Sequence, residues 1–238
     1  MDIKLVLYYL CIFTGAVCAA FFDFRTGTKR GYPKKTLVIF ISFAMVSGFI
    51  GALFMGQLQN FIMSLTGLSY YPSRMRIFGG LLFMPVLIYF PVRYLAGDFM
   101  EITDMFTPGA YLLLAFSKIG CAVYGCCYGT ECSFGVRTQF EDHLCFPVQL
   151  SESALCFILF VVLFYVLIKK KHRKGAVYPT SLILYGVIRF FVEYLRYYPE
   201  AEKTYFFGIN FWQTVSIVTV ISGAVWLIYV YGGRCREA

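Results

Sequence analysis

Seven apolar stretches, at about 5–22, 36–56, 77–97, 107–125, 147–168, 176–195 and 205–232, constrain this chain more than any other feature. A helix crosses the hydrocarbon of a bilayer in about 20 residues, and each stretch is close to that length. Of the 238 residues, 59% are hydrophobic and only 14% are charged, where a soluble domain is about 25% charged. So much apolar surface exceeds what one core can hide, and lipid must be the solvent for a large part of it. The expected fold is all-α: a polytopic membrane protein with seven transmembrane helices in a single domain. The first stretch follows Lys4 as a secretory signal would, but its apolar run is longer than a signal's and lacks a small-x-small exit, so it is expected to stay as a span.

Orientation follows from the 21 Lys and Arg residues. With the N-terminus outside, the inner loops hold Arg25, Lys29, Arg30, Lys34, Lys35, Arg93, the run KKKHRK at 169–174, Arg234 and Arg236. The outer segments then hold only Lys4, Arg74, Arg76, Arg137, Arg196 and Lys203. Cytoplasmic loops carry the excess of Lys and Arg, so N-out, C-in is the expected topology. The net charge of +8 therefore reads as topology and contact with anionic headgroups, and not as a nucleic-acid surface.

Polar groups inside a membrane are costly unless paired or hydrated, and they mark sites. Three strings carry them. In RFFVEYLR, Arg189, Glu193 and Arg196 are spaced by four and three and are expected on one helical face. Two cations around one anion leave positive charge for a ligand such as a phospholipid phosphate, although the same ladder would also serve simply to fix helix packing. In FPVQLSE, Pro147 opens a helix and puts Gln149 and Glu152 on one face of its first turns. They suit either a headgroup or the water interface. The third string is SKIGCAVYGCCYG at 117–129, where glycines allow close backbone approach and Lys118 has no acid near it in sequence.

That string also holds three of the chain's nine cysteines. The intervals among Cys121, Cys126, Cys127 and Cys132 are C-x4-C, C-C and C-x4-C, without a C-x2-C knuckle or a histidine at zinc spacing, which argues against a metal site. A disulfide among Cys126, Cys127, Cys132 and Cys145 fits an outward loop better. Cys11, Cys18 and Cys156 read as small buried apolar residues.

In this order, the three strings resemble the prolipoprotein diacylglyceryl transferase family, bacterial membrane enzymes that move diacylglycerol from phosphatidylglycerol onto a lipobox cysteine. The family signature G-R-I-G-N-F-x-N-x-E-x-x-G falls without gaps on SKIGCAVYGCCYG, with Ile119, Gly120 and Gly129 in place. Asp104 and Pro108 match the aspartate and proline upstream, FPVQLSE resembles H-P-S-Q-L-Y-E, and Arg189, Phe190, Val192, Glu193 and Arg196 meet R-F-x-V-E-x-x-R in full. Some positions depart from the pattern. Lys118 replaces the signature's arginine, Cys121 its asparagine and Cys126 its glutamate; the family's F-H-G-G reads Ile77, Phe78, Gly79, Gly80, without its histidine; and Leu53 replaces another arginine.

The resemblance implies a seven-helix, N-out enzyme of the bacterial cytoplasmic membrane that needs no cofactor or metal. Its implied partners are phosphatidylglycerol or another anionic phospholipid and a lipoprotein precursor or other cysteine-bearing peptide. Lys118, Arg189, Glu193 and Arg196 are the implied catalytic residues, and Gly79, Gly80, Asp104, Gly120, Cys121, Cys126, Gly129, Gln149 and Glu152 the implied substrate contacts. With the family histidine gone, the acceptor thiol must lose its proton to Lys118, His143, Glu193 or Glu152. Two alternatives accompany this reading: a phospholipid enzyme with a different acceptor or with Cys121 or Cys126 as nucleophile, and a non-catalytic lipid-binding protein.

Overall fold

The computed structural model describes residues 3–65, 77–95, 97–138, 142–169, 172–198, 205–206 and 208–232. Arg74, Arg76, Lys170, Lys171, Lys203, Arg234 and Arg236, used above for the charge balance, lie outside the described residues. Among the described residues seven helices follow one another: α1 (Ile3–Lys29), α2 (Lys34–Leu65), α3 (Ile77–Tyr94), α4 (Phe99–Tyr124), α5 (Val148–Lys169), α6 (Val177–Val192) and α7 (Phe211–Gly232). Five of them, α1, α2, α4, α5 and α7, are long and apolar enough to cross a membrane; α3 and α6 are shorter, and α6 has 16 residues. An antiparallel ribbon, β1 (Glu131–Arg137) with β2 (Leu144–Cys145), joins α4 to α5, and a smaller one, β3 (Tyr205–Phe206) with β4 (Ile209–Asn210), precedes α7.

Capping and turn chemistry move several helix ends away from the hydropathy boundaries. The fourth helix starts at Phe99 instead of near 107, because Asp98 caps it by accepting the Glu101 N–H at 3.2 Å. The seventh starts at Phe211 instead of 205, since the residues ahead of it turn through Gly208 (φ +81°) into a ribbon. The sixth stops at Val192; a 3-10 turn, Glu193–Leu195, follows and Arg196 is extended, so Arg196 does not continue the helical face expected to carry it with Arg189 and Glu193.

Helix α4 is the axis of the bundle and packs against α1, α3, α5 and α6. Its Met105, Phe106, Tyr111 and Leu114 join Phe78 and Ile88 of α3, Leu159 and Leu163 of α5, and Leu182 and Tyr185 of α6 in one apolar core. Buried hydroxyls there find carbonyls: Tyr111 donates to Ser181 O at 3.0 Å and Tyr178 to Leu81 O at 2.7 Å. Outward faces keep large apolar side chains, among them Phe13, Phe21, Phe49, Phe157, Ile158 and Ile221, as helices surrounded by lipid require.

Two seams bring backbones together at glycine. A Cβ on Gly79 would fall 1.9 Å from Gly51 O, and one on Gly80 3.1 Å from Gly48 O, so α2 and α3 touch along this line. A Cβ on Gly120 would meet Tyr8 O of α1 at 3.0 Å. Gly79, Gly80 and Gly120, expected beside substrate, thus lie on packing seams. Tyr8 packs against Tyr124 at one end of the bundle, with ring centres 5.9 Å apart, while Arg30 pairs with Glu101 at the other, 3.0 Å. Helices α1 and α4 therefore run antiparallel, and the three polar strings meet at the Tyr124 end.

Candidate active site

Glu152, one turn into α5 and fully buried, is the centre of a charge cluster. Lys118 Nζ of α4 lies 2.9 Å from its Oε2, and Arg196 Nη2 lies 2.8 Å from the same oxygen. Arg189 Nε of α6 is 3.8 Å from Oε1, to which Tyr185 also donates its hydroxyl at 3.2 Å. One carboxylate thus gathers three cations from three segments. The acid missing from the neighbourhood of Lys118 in sequence comes from the next helix.

A second carboxylate completes the cluster. Glu193 Oε2 lies 2.7 Å from Arg189 Nη2, the four-residue pair expected from the sequence, and its Oε1 accepts from Tyr198 and, at 3.3 Å, from Asn210 Nδ2. Burial pushes the Tyr198 phenol up to about 12; Arg196 opposes that rise and Glu193 adds to it, so Tyr198 stays a proton donor. Asn210 in turn exchanges hydrogen bonds with Gln213 at the start of α7 (2.9 and 2.8 Å). Three cations face two anions, leaving one positive charge in excess. Three buried donors, Arg189 Nη1, Arg196 Nε and Gln213 Nε2, have no hydrogen-bond partner among the described residues. Buried donors are normally satisfied, and these three are placed to bond an anion with several acceptor oxygens.

The connection after α4 positions Arg196. Gly125 ends the helix in the left-handed region (φ +86°) and returns its N–H to Cys121 O, 2.9 Å. Gln149 Nε2 then holds the Cys126 carbonyl at 2.7 Å, and Gly129 pairs with Arg196 as an isolated antiparallel bridge. A Cβ on Gly129 would strike Leu195 O and Val148 Cγ2 at 2.6 Å each. Gln149 and Gly129 therefore hold the strap from which Arg196 reaches Glu152.

Lys118, Arg189, Glu193, Arg196 and Glu152 are brought together as charged neighbours, with Cys126 and Gly129 in the strap beside them and Gln149 of α5 holding it. Asp104 is not. Its carboxylate accepts from Gly175 N (2.7 Å) and Tyr178 N (2.9 Å), capping α6 at the far end of the bundle, about 21 Å along α4 from Lys118 at 1.5 Å per residue. Phe78 stacks on Trp212 and lies under the Arg189 guanidinium, 6.0 Å from ring centre to Cζ. His143 sits in the ribbon connection just before β2. Cys126, Cys127 and Cys132 are free thiols, so the expected disulfide among them and Cys145 is not formed.

The spacing of the cysteines argues against a metal site, yet three of them converge. The sulfurs of Cys121, Cys126 and Cys127 all lie within 4.8 Å of one another, although no zinc template has their spacing. The left-handed turn at Gly125 folds the chain back over the last turn of α4, and Cys127 itself has φ +60°. The only signal available from sequence was a glycine between closely spaced cysteines.

A family model described as prolipoprotein diacylglyceryl transferase matches residues 1–229. A phosphatidylglycerol–prolipoprotein diacylglyceryl transferase of Clostridium tetani is 27% identical over 93% of this chain and 91% of its own length. A Clostridium perfringens protein of that name, numbered 2, is 28% identical over 93% and 89%. One from Streptococcus uberis shares 28% identity over the same fractions.

Proposed function

Because the chain belongs to the prolipoprotein diacylglyceryl transferase family, a family of multi-pass membrane transferases, we propose that it moves diacylglyceryl from phosphatidylglycerol to a cysteine thiol of a lipoprotein precursor, at the cluster around Glu152. The observation that carries this reading is the set of unsatisfied donors, Arg189 Nη1, Arg196 Nε and Gln213 Nε2, beside an excess positive charge. A phosphodiester supplies one negative charge and several acceptor oxygens, which suits both.

In the reaction, the acceptor sulfur forms a bond to the glycerol carbon and the bond from that carbon to the phosphate oxygen breaks. Glycerol phosphate leaves with the electron pair, and the thiol proton goes to solvent or a base. Charge grows on the departing phosphate, so donors already fixed around it favour the transition state over the ground state. Glu152 and Glu193 hold the cations in place. Lys118, committed to Glu152, serves better as a charged anchor than as the base. The chain is read as one domain, N-out and C-in, in a bacterial cytoplasmic membrane, which puts the cluster at the outer end of the bundle, where a secreted precursor arrives.

Incubating the purified protein with phosphatidylglycerol and a lipobox peptide tests this directly: the peptide should gain a diacylglyceryl mass. Arg189→Gln should bind the lipid more weakly while remaining folded. A wild-type protein that leaves the peptide unmodified, or an Arg189→Gln variant that binds with undiminished affinity, would overturn the assignment.

A further inference from the structure

We propose that Cys121, Cys126 and Cys127 form a site for a thiophilic divalent cation, zinc by its chemistry, whose fourth coordination position takes the sulfur of the acceptor cysteine. The proposal rests on the transferase reading above and supplies what that reading lacks, a way to deprotonate the acceptor thiol.

Geometry comes first. Zinc–sulfur bonds of about 2.3 Å at tetrahedral angles put sulfurs about 3.8 Å apart. The three sulfurs here lie within 4.8 Å of one another, so side-chain rotations that bring them at most about 1 Å closer complete the set. The backbone is already arranged for it. Gly125 turns left-handed at the end of α4, Gln149 fixes the Cys126 carbonyl, and Cys127 has a positive φ that a residue with a Cβ rarely adopts. Strain of that kind gathers at functional sites, and here its effect is to turn Cys127 back toward its two neighbours.

The chemistry of the donor set selects the ligand. Thiolates prefer soft or borderline ions over magnesium or calcium. Three protein ligands with an open fourth position is the pattern of a reactive zinc site, whereas structural sites are closed by four. Exposure increases from Cys121 (buried) through Cys126 (half-buried) to Cys127 (exposed), so the cluster opens toward solvent, where a peptide can approach. Three thiolates around a divalent ion carry one negative charge, and the bridge between Gly129 and Arg196 brings a cation to the strap that carries Cys127. A monovalent ion would leave two.

The balance is simple. Binding the metal releases one proton from each of the three thiols to solvent. The acceptor thiol displaces a bound water and releases a fourth, because a coordinated thiol is deprotonated outright. Its sulfur then forms the carbon–sulfur bond as the carbon–oxygen bond breaks, and the neutral thioether leaves the metal to water. No imidazole is needed, which accounts for a chain that has Phe78 against Arg189 and still keeps its cations.

The test uses the full chain, purified in detergent under reductant and stripped of metal, with Zn2+ and Co2+ as probes. One ion per chain should bind, and cobalt should show thiolate charge-transfer absorption. Cys121→Ser, Cys126→Ser and Cys127→Ser should each weaken binding more than the 10–100-fold typical of losing an outer-shell partner; Cys132→Ser and Cys18→Ser should not. Adding a lipobox peptide should change the cobalt spectrum, and its Cys→Ser version should leave it unaltered. Absence of binding, binding indifferent to the three serine variants, or recovery of the reduced protein with two of these sulfurs joined would overturn the site. Metal held by the three sulfurs without any transfer would support the site and defeat the transferase reading. Full-rate transfer by the metal-free protein would do the reverse.

Discussion

The two ends of the bundle use charge in opposite ways. At the end holding Glu152, Lys118 and Glu152 are almost wholly buried, Arg189 and Arg196 expose little of their side chains, and cations outnumber acids. At the far end Arg30 pairs with Glu101 (3.0 Å) and Lys174 with Asp98 (3.0 Å), partly or largely in water. There several polar groups finish something structural: Asp98 caps α4, Asp104 caps α6, and Arg173 holds the Val230 and Tyr231 carbonyls of α7. Both ends keep buried polar atoms without a hydrogen-bond partner among the described residues, His172 Nε2 and Trp226 Nε1 at the far end and Arg189 Nη1, Arg196 Nε and Gln213 Nε2 at the Glu152 end. At the Glu152 end, however, two of them belong to buried guanidinium groups beside an excess of positive charge. Buried guanidinium donors with charge in excess mark an anion site, because leaving them unsatisfied has a cost that a bound anion removes.

The largest difference should come from removing one carboxylate at each end. Glu152→Gln leaves three buried cations on a single acid, and breaking a buried pair in this way costs about 3–5 kcal/mol. Thermal unfolding in detergent should show that loss, and transfer should fall by at least about 100-fold, as when a transition-state donor is disarmed. Glu101→Gln, at the partly hydrated end, should cost about 1 kcal/mol or less and leave transfer intact. Equal losses at the two ends would end the distinction.

Two glycines sharpen it further. Gly129→Ala drives a methyl into Leu195 O and Phe146 O, backbone atoms that cannot yield; overpacking of this kind costs about 1–3 kcal/mol. The strap then carries Arg196 away from Glu152, and a shift of about 1 Å lowers the rate by up to about 100-fold. Gly31, at the far end, has φ +89° and open space around it. Gly31→Ala should therefore cost only the left-handed conformation, about 1–2 kcal/mol, with transfer unchanged. A rate assay on both variants separates a glycine needed for the site from one needed for a turn.

Which parts of this were legible in the sequence depends on whether a relation lies within one helix or between two. The seven apolar stretches and the Arg189–Glu193 pair depend on length and on a spacing of four, and both are visible in a string of letters. The Lys118–Glu152 contact joins residues on α4 and α5, and only the packing of those helices sets their relative register. Asp104 sits in the same motif-bearing helix as Lys118, yet three and a half turns or more of α-helix place it at the opposite end; proximity in a motif says nothing about depth in a membrane. Gly79 and Gly80 carry no mark that tells a packing seam from a substrate contact. Arg196 and the three cysteines depend on where a helix stops, and those stops come from the 3-10 turn after Val192 and the left-handed Gly125.

Asp104→Asn should have a smaller effect than either pair above. An amide oxygen accepts one N–H where the carboxylate accepts two, Gly175 and Tyr178, so about 1 kcal/mol of helix capping is lost. Transfer at the opposite end should not change. A large rate loss with unchanged unfolding would instead place Asp104 in communication with the cluster and merge the two ends.

The smallest effect belongs to the Asp98–Lys174 pair, and its pH dependence has a definite sign. Burial alone would raise the Asp98 pKa, but Lys174 and the Glu101 N–H outweigh it and hold the carboxyl below its ordinary value. A depressed carboxyl contributes stability that is present above the unfolded value, about 3.9, and lost as pH falls through the lower folded value. Lys174 is shifted upward by Asp98, so its share is present below the ordinary lysine value and lost only as pH rises through the higher folded one. The difference in stability between wild type and Asp98→Asn should accordingly be flat across neutral pH and shrink in acid. It should stay within about 1 kcal/mol and diminish in high salt, because an exposed pair is screened. A difference that grew in acid, or that salt left untouched, would mean that this end is buried and strained like the other.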